Sequence, residues 1–166
     1  MFLLLIIIVA VSIYGVRTYN RTLPLKNGVE RTKKDIDIIL KKKYENFERL
    51  EGIVMSSIDD ERKTFESVVA KRVGDDKSLN EKYENTETQK SQLIALAENY
   101  PTLATNESYL SLMEQLNQLD TELTNARLLY NKHVENYNDK IKSFPLIFVH
   151  KHIGFPEYDY FDAAIN

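Results

Sequence analysis

The sequence predicts an all-α protein, an N-terminal transmembrane helix followed by an antiparallel up-down four-helix bundle. Three observations lead there. Glycine (5) and proline (4) together make about 5% of the 166 residues, against roughly 12% in average usage, so few turns can be built. The segment Met1 to Val16, MFLLLIIIVAVSIYGV, holds no charged side chain. From Leu25 onward the apolar residues recur at three- and four-residue spacing, the period of a helix face. No strand-like alternation competes with it.

The anchor comes first, over residues 1–20. Sixteen helical residues cover about 24 Å, short of the roughly 30 Å hydrocarbon core. Continuing through Tyr19 and Asn20 adds about 6 Å, and Arg17 can snorkel its charge to the interface. A cleaved signal peptide normally has Lys or Arg before its apolar stretch and small residues near its end; both are missing here. A buried core helix would need an equally apolar enclosure, which no other segment offers. Lys and Arg are absent before the segment and abundant after it, beginning with Arg17, Arg21 and Lys26. The positive-inside rule then places the rest of the chain in the cytoplasm, with only a residue or two of N-terminus outside.

The bundle domain follows over residues 21–143. Its first helix spans about Leu25 to Lys43, with Val29, Ile36 and Leu40 inward. A second stripe, Phe47, Leu50, Val54, Ile58, Phe65 and Val68, ends near Gly74-Asp75-Asp76, a turn signal. The third carries Leu79, Tyr83, Thr86, Leu93, Ala97 and Tyr100 and stops at Pro101, because the residue before a proline avoids the helical region. The fourth is the longest. Tyr109, Leu116, Leu123, Tyr130, Tyr137 and Phe144 recur every seven residues, with Leu112, Leu119 and Ala126 interleaved, the seam of a coiled-coil-like helix. Asn106 before Glu107 supplies its N-terminal start. Short connections make neighbouring helices antiparallel. The irregular tail, residues 144–166, has two prolines, one glycine and no helical period. It either folds back over one end of the bundle or dips into the membrane interface beside the anchor.

Charge narrows the partners. With 22 Lys+Arg against 25 Asp+Glu, a net of -3, the chain lacks the positive excess that replaces phosphate counterions, which excludes a wholesale nucleic-acid binder. The balance is uneven. Residues 17–50 carry ten bases and five acids, and residues 51–166 carry 12 bases and 20 acids. A basic block directly after an apolar run points to anionic lipid, although Lys33 to Lys43 read equally well as a solvated helix face. The lipid bilayer is thus the first partner implied, through residues 1–20.

Little looks like chemistry. Cysteine is absent, which rules out disulfides, thiolate catalysis and thiolate metal sites. His150-x-His152, with Glu157 or Asp159 nearby, is too sparse to preset a metal site that needs three or four placed ligands. His133 reads as an edge residue of the long helix. Asp59-Asp60 and Asp75-Asp76 stand beside turns and read as caps. No nucleophile elbow, phosphate loop or zinc-helix motif occurs. The ten tyrosines fall mostly on the apolar stripes and read as core. No catalytic, cofactor-binding or metal-ligating residue and no cofactor is expected. What does stand out is a structural polar layer: Glu61 and Arg72 on the second stripe, Glu98 at the end of the third helix, and Arg127 beside the long seam. A charge facing a core must be paired, and Arg127, with its two-pronged fork, is the expected partner of Glu61.

The motifs Tyr19-Asn20, IDIILKKKY at 36–44, AENYPTLATN at 97–106, ARLLYN at 126–131, YN at 137–138, IKSFP at 141–145, GF at 154–155 and YF at 160–161 resemble those of the LemA family over nearly the whole chain. The resemblance implies a bacterial membrane protein with one N-terminal helix, a short extracytoplasmic N-terminus and a cytoplasmic four-helix domain. It implies no established catalytic activity. Two departures stand out: Glu48 occupies a position where the family tends to have proline, and Pro24 falls where the family usually continues a helix out of the membrane, so a break between anchor and bundle is expected at Pro24. Two function classes follow. One is a membrane-tethered scaffold or interaction module with a protein partner at the inner face of the membrane; the other is a ligand-binding or enzymatic bundle whose site the sequence does not display.

Overall fold

The computed structural model describes residues 1–57, 77–98, 100 and 103–161. Among them are three α-helices, α1 (Phe2–Ser57), α2 (Leu79–Glu98) and α3 (Glu107–Lys142), two short 3-10 turns at Leu103–Thr105 and Leu146–Phe148, and no strand. The protein is all-helical with one long apolar N-terminal helix. Of the expected second helix, Ile58 through Asp76 lies outside the described residues, including Glu61 and Arg72.

Helix α1 corrects two expectations. It runs through Pro24 without a break. Proline removes one backbone hydrogen bond, but a break would require nucleating a fresh helix, which is the unfavourable step in helix formation. Nor does a helix end at Lys43 and another begin at Phe47. The segment KKKYENF contains neither Gly nor Pro, and α1 continues through it to Ser57. The buried positions Ile36, Leu40, Lys43, Phe47, Leu50 and Val54 form one uninterrupted stripe at four- and three-residue steps. A lysine fills the slot where the apolar pattern lapses.

The other helices start where local chemistry tells them to. Ahead of α2, Ser78 and Glu81 form a reciprocal capping box: the Glu81 amide donates to the Ser78 hydroxyl (3.2 Å) and the Ser78 amide donates to the Glu81 carboxylate (2.9 Å). Those bonds, with Lys77 nearby, hold the Glu81 carboxyl below its ordinary range. Ahead of α3, Asn106 accepts from the Tyr109 amide at 3.1 Å, satisfying one orphan donor of the first turn. Along the α3 seam Tyr109, Leu112, Leu116, Leu119, Leu123, Tyr130, Val134, Tyr137 and Ile141 are buried, and Ala126 is half-buried. Phe144 is not. Helix α3 ends at Lys142, so Phe144 drops out of the helical period and lies 77% exposed.

The chain forms two compact units. One comprises residues 1–33 and 128–160, the other 34–127 with the chain end from Phe161. In the second, Phe47, Leu50 and Val54 of α1 pack with Leu93 of α2, Leu103, and Tyr109, Leu112 and Leu116 of α3. In the first, the buried apolar residues are Val29 of α1, Tyr130, Val134, Tyr137 and Ile141 of α3, and Leu146 and Phe155 beyond it. The approach of helices there is close: a Cβ on Gly28 would stand 3.0 Å from His133 Nδ1. Asn138 ties down the chain beyond α3 through two bonds, donating to the Tyr158 carbonyl (2.8 Å) and accepting from the Tyr158 amide (3.2 Å).

Candidate functional site

The 34–127 unit is built around a buried lysine. Lys43 is fully buried, and its ammonium donates to Asp120 of α3 (2.6 Å) and Glu87 of α2 (2.8 Å). Lys90 of α2 also binds Asp120, so one carboxylate bridges two ammonium groups from two helices. The Tyr83 ring lies 5.8 Å from Lys43 Nζ and 5.8 Å from the Arg127 guanidinium, which in turn lies 5.2 Å from the Phe161 ring. These are cation–π distances, and Tyr83 and Phe161 meet edge to face at 5.8 Å. Burial pushes the Asp120 carboxyl up, but hydrogen bonds and charge from Lys43 and Lys90 outweigh it, and the net shift is downward. The carboxylate therefore stays ionised, and the layer is an ion-paired clamp rather than an acid poised to give up a proton.

The layer expected from sequence comprises Glu61, Arg72, Glu98 and Arg127. Arg127 takes part in the Lys43 layer by stacking on Tyr83 and Phe161. Glu98 is exposed at the end of α2, away from the layer. Glu61 and Arg72, and with them the expected Glu61–Arg127 pair, lie outside the described residues. Lys43, Asp120, Glu87 and Lys90 were missed. The signal that finds Lys43 is its register, since it continues the Ile36–Leu40 stripe three residues on. Nearby, a shallow groove of about 240 Å³ runs between α1 and α3, lined by Lys42, Asn46, Arg49, Gln118, Leu119 and Glu122 among others. Its walls are charged and amide side chains of both signs.

The 1–33 and 128–160 unit holds the foot of the apolar helix. Residues 1–17 are exposed throughout, and Thr18 and Thr22 are the first buried positions. Thr22 donates to the Thr18 carbonyl at 2.9 Å, which lets a polar residue sit on the buried face. Tyr19 stacks on Phe155 (5.1 Å between centroids), and Tyr137 meets Phe155 edge on at 6.4 Å. The three flanking bases differ. Arg17 and Arg21 are exposed, whereas Lys26 donates to the Gly154 carbonyl (3.1 Å) and lies 3.8 Å from Glu30. The Tyr158 hydroxyl donates to Glu30 at 3.0 Å. His150 is buried, with Nδ1 2.9 Å from the Phe155 carbonyl oxygen, so its ring braces the turn.

These features define a class: a helical protein with ion-paired helices and one N-terminal helix long and apolar enough, by length and composition, to cross a membrane. The comparison with protein families is more specific. The LemA family model matches residues 32–166, most of the chain, and the chain belongs to the LemA family. Among curated proteins none matches it.

Proposed function

We propose that this LemA family member is a membrane-anchored scaffold. In this reading α1 crosses the inner membrane of a bacterium once, and a cytoplasmic helical-bundle domain presents its surface to a protein partner at the inner face. The observation that carries the reading is the sharp change along α1. Up to Arg17 every residue is exposed and nearly all are apolar; from Thr18 onward one face is buried. A bilayer supplies the apolar surroundings that the first segment lacks. Arg17, Arg21, Arg31, Lys33 and Lys34 follow it closely, which favours retention of that side in the cytoplasm. The buried Lys43 ammonium is engaged with Asp120 and Glu87, which supports a structural role for it.

Topology is the first test. A reporter fused after Asn166 that works only in the cytoplasm should be active, and one that works only outside should be silent; the reverse pattern overturns the orientation. The scaffold role is tested by cross-linking in cells followed by purification from solubilised membranes. A stoichiometric protein partner supports it, whereas a co-purifying small molecule or metal without one would favour a ligand-binding or enzymatic bundle.

A further inference from the structure

The segment 144–153 is a braced turn with its apolar side chains outward. Its amides close on nearby carbonyls: Val149 on Leu146 (2.9 Å), His150 on Leu146 (2.8 Å), His152 on Val149 (2.9 Å), and Phe155 on His150 (2.9 Å). Leu146, His150 and Phe155 point inward and are buried. Outward stand Phe144, Ile147, Phe148, Val149 and Ile153, all exposed, with Phe148 at 75% and paired edge to face with Phe144. Five large apolar residues on one short turn make a patch that water does not favour.

Its position along α1 identifies what covers it. Gly28 of α1 faces His133 of α3, and one turn further along α3 Tyr137 reaches Phe155, which stacks on Tyr19. The two helices therefore run antiparallel here. The nine residues from His133 to Lys142 carry α3 about 13 Å back along α1, to the level of Tyr19. The turn that follows stands beside Arg17 to Lys26, where the exposed apolar helix begins. Lys151 and His152 in the turn and Arg17 and Arg21 on α1 are exposed at the same level. An apolar patch rimmed by bases, at the depth where a membrane anchor enters, has the chemistry of an anionic lipid headgroup boundary.

We propose that the 144–153 turn is a second membrane contact, an interfacial foot whose phenylalanines seat at the headgroup–acyl boundary of the bilayer that α1 crosses. The proposal rests on the membrane-anchor reading and extends it: anchor and foot together set the tilt and rotation of this unit against the membrane, which a single helix leaves free. The occupant is the lipid surface, not a second copy of the chain.

The chain has no tryptophan, so single-tryptophan variants report depth cleanly. The full chain carrying Phe148→Trp, and separately Phe144→Trp, is reconstituted in phosphatidylethanolamine–phosphatidylglycerol vesicles containing either headgroup-labelled or mid-chain-labelled quenching lipids. Ile8→Trp reports the anchor. Leu128→Trp, also exposed, at 67%, but about 21 Å back from the Lys142 end of α3, is the control. Both tail probes should emit at shorter wavelength than the control and lose most of their emission to the headgroup quencher, while Ile8→Trp is quenched from mid-chain and Leu128→Trp by neither. Tail probes with water-like emission untouched by either lipid, beside a quenched Ile8→Trp, overturn the foot and leave the anchor standing. Tail emission that is blue-shifted yet unquenched means protein covers the patch, which also overturns it. An unquenched Ile8→Trp overturns the anchor and the foot together.

Discussion

At the residue scale, Lys43 does two jobs that substitution can separate. Its four-carbon stem fills a core slot between Leu40 and Phe47, and its ammonium neutralises Asp120 and Glu87. Lys43→Ala removes both and is expected to lower stability by about 2–4 kcal/mol, less than a fully buried pair because both carboxylates keep some contact with water. Lys43→Met keeps the volume and leaves Asp120 with Lys90, and should cost about half as much. Urea unfolding of the detergent-solubilised chain, followed by circular dichroism, measures both; equal losses would mean that the stem contributes nothing. Acid sensitivity follows from Asp120. Its carboxyl is held below the ordinary value, so its contribution is complete above about pH 4, where an unfolded aspartate is ionised, and fades as pH falls through the lower folded value. Asp120→Asn should flatten that acid limb of the melting temperature. At the alkaline end Tyr137 behaves oppositely. Burial, and then the charge of Glu30, push its hydroxyl up to about 12 from 10.0. Its contribution is complete below pH 10 and lost between there and pH 12. The hydroxyl is buried without a partner among the described residues. Tyr137→Phe should therefore remove the alkaline loss and leave neutral-pH stability unchanged or raised by up to about 1 kcal/mol.

At the scale of elements, α1 carries a proline that its neighbours override and α3 a cap that it needs. Pro24 leaves the Asn20 carbonyl without its helical donor, a defect tolerated because helix continues for many residues on both sides. Pro24→Ala restores the amide and should stabilise the chain by about 1–3 kcal/mol. Hydrogen exchange of the amides around residues 20–28 should slow with it, and unchanged exchange would show that the proline costs nothing in place. Asn106→Ala removes the acceptor of the Tyr109 amide and should cost about 1 kcal/mol, with Asn106→Asp nearly neutral. Ser78→Ala should likewise weaken the start of α2 by about 1 kcal/mol, since it removes the acceptor of the Glu81 amide.

At the scale of the whole molecule, the question is where the helical body begins. Burial on α1 starts at Thr18, and Tyr19 stacks on Phe155, so the natural cut lies before Thr18 rather than after Asn20. Residues 17–166 should be soluble, strongly helical and cooperative in melting. Residues 21–166 should melt lower, by about 1 kcal/mol or somewhat more, since they lose an aromatic pair. A disordered spectrum from the longer piece would mean that the membrane completes the fold.

The sequence by itself determined the elements whose signals are local or periodic. The α3 seam, its Asn106 start, the α2 stripe of Leu79, Thr86 and Leu93, and the apolar run at the N-terminus were all legible, because spacing and hydrophobicity act within a few residues. The LemA motifs were legible for the same reason, and the family match covers residues 32–166. Tertiary structure decided the rest. Three consecutive lysines ending at Lys43 look like a solvated break until Glu87 and Asp120, 44 and 77 residues away, are brought to its ammonium. Pro24 looks like an end until helix continuing on both sides outweighs one lost hydrogen bond. Phe144 looks like the last seam residue until α3 stops at Lys142 and turns it outward. For Lys43 the deciding interactions join residues far apart in the chain, and no local pattern carries that information.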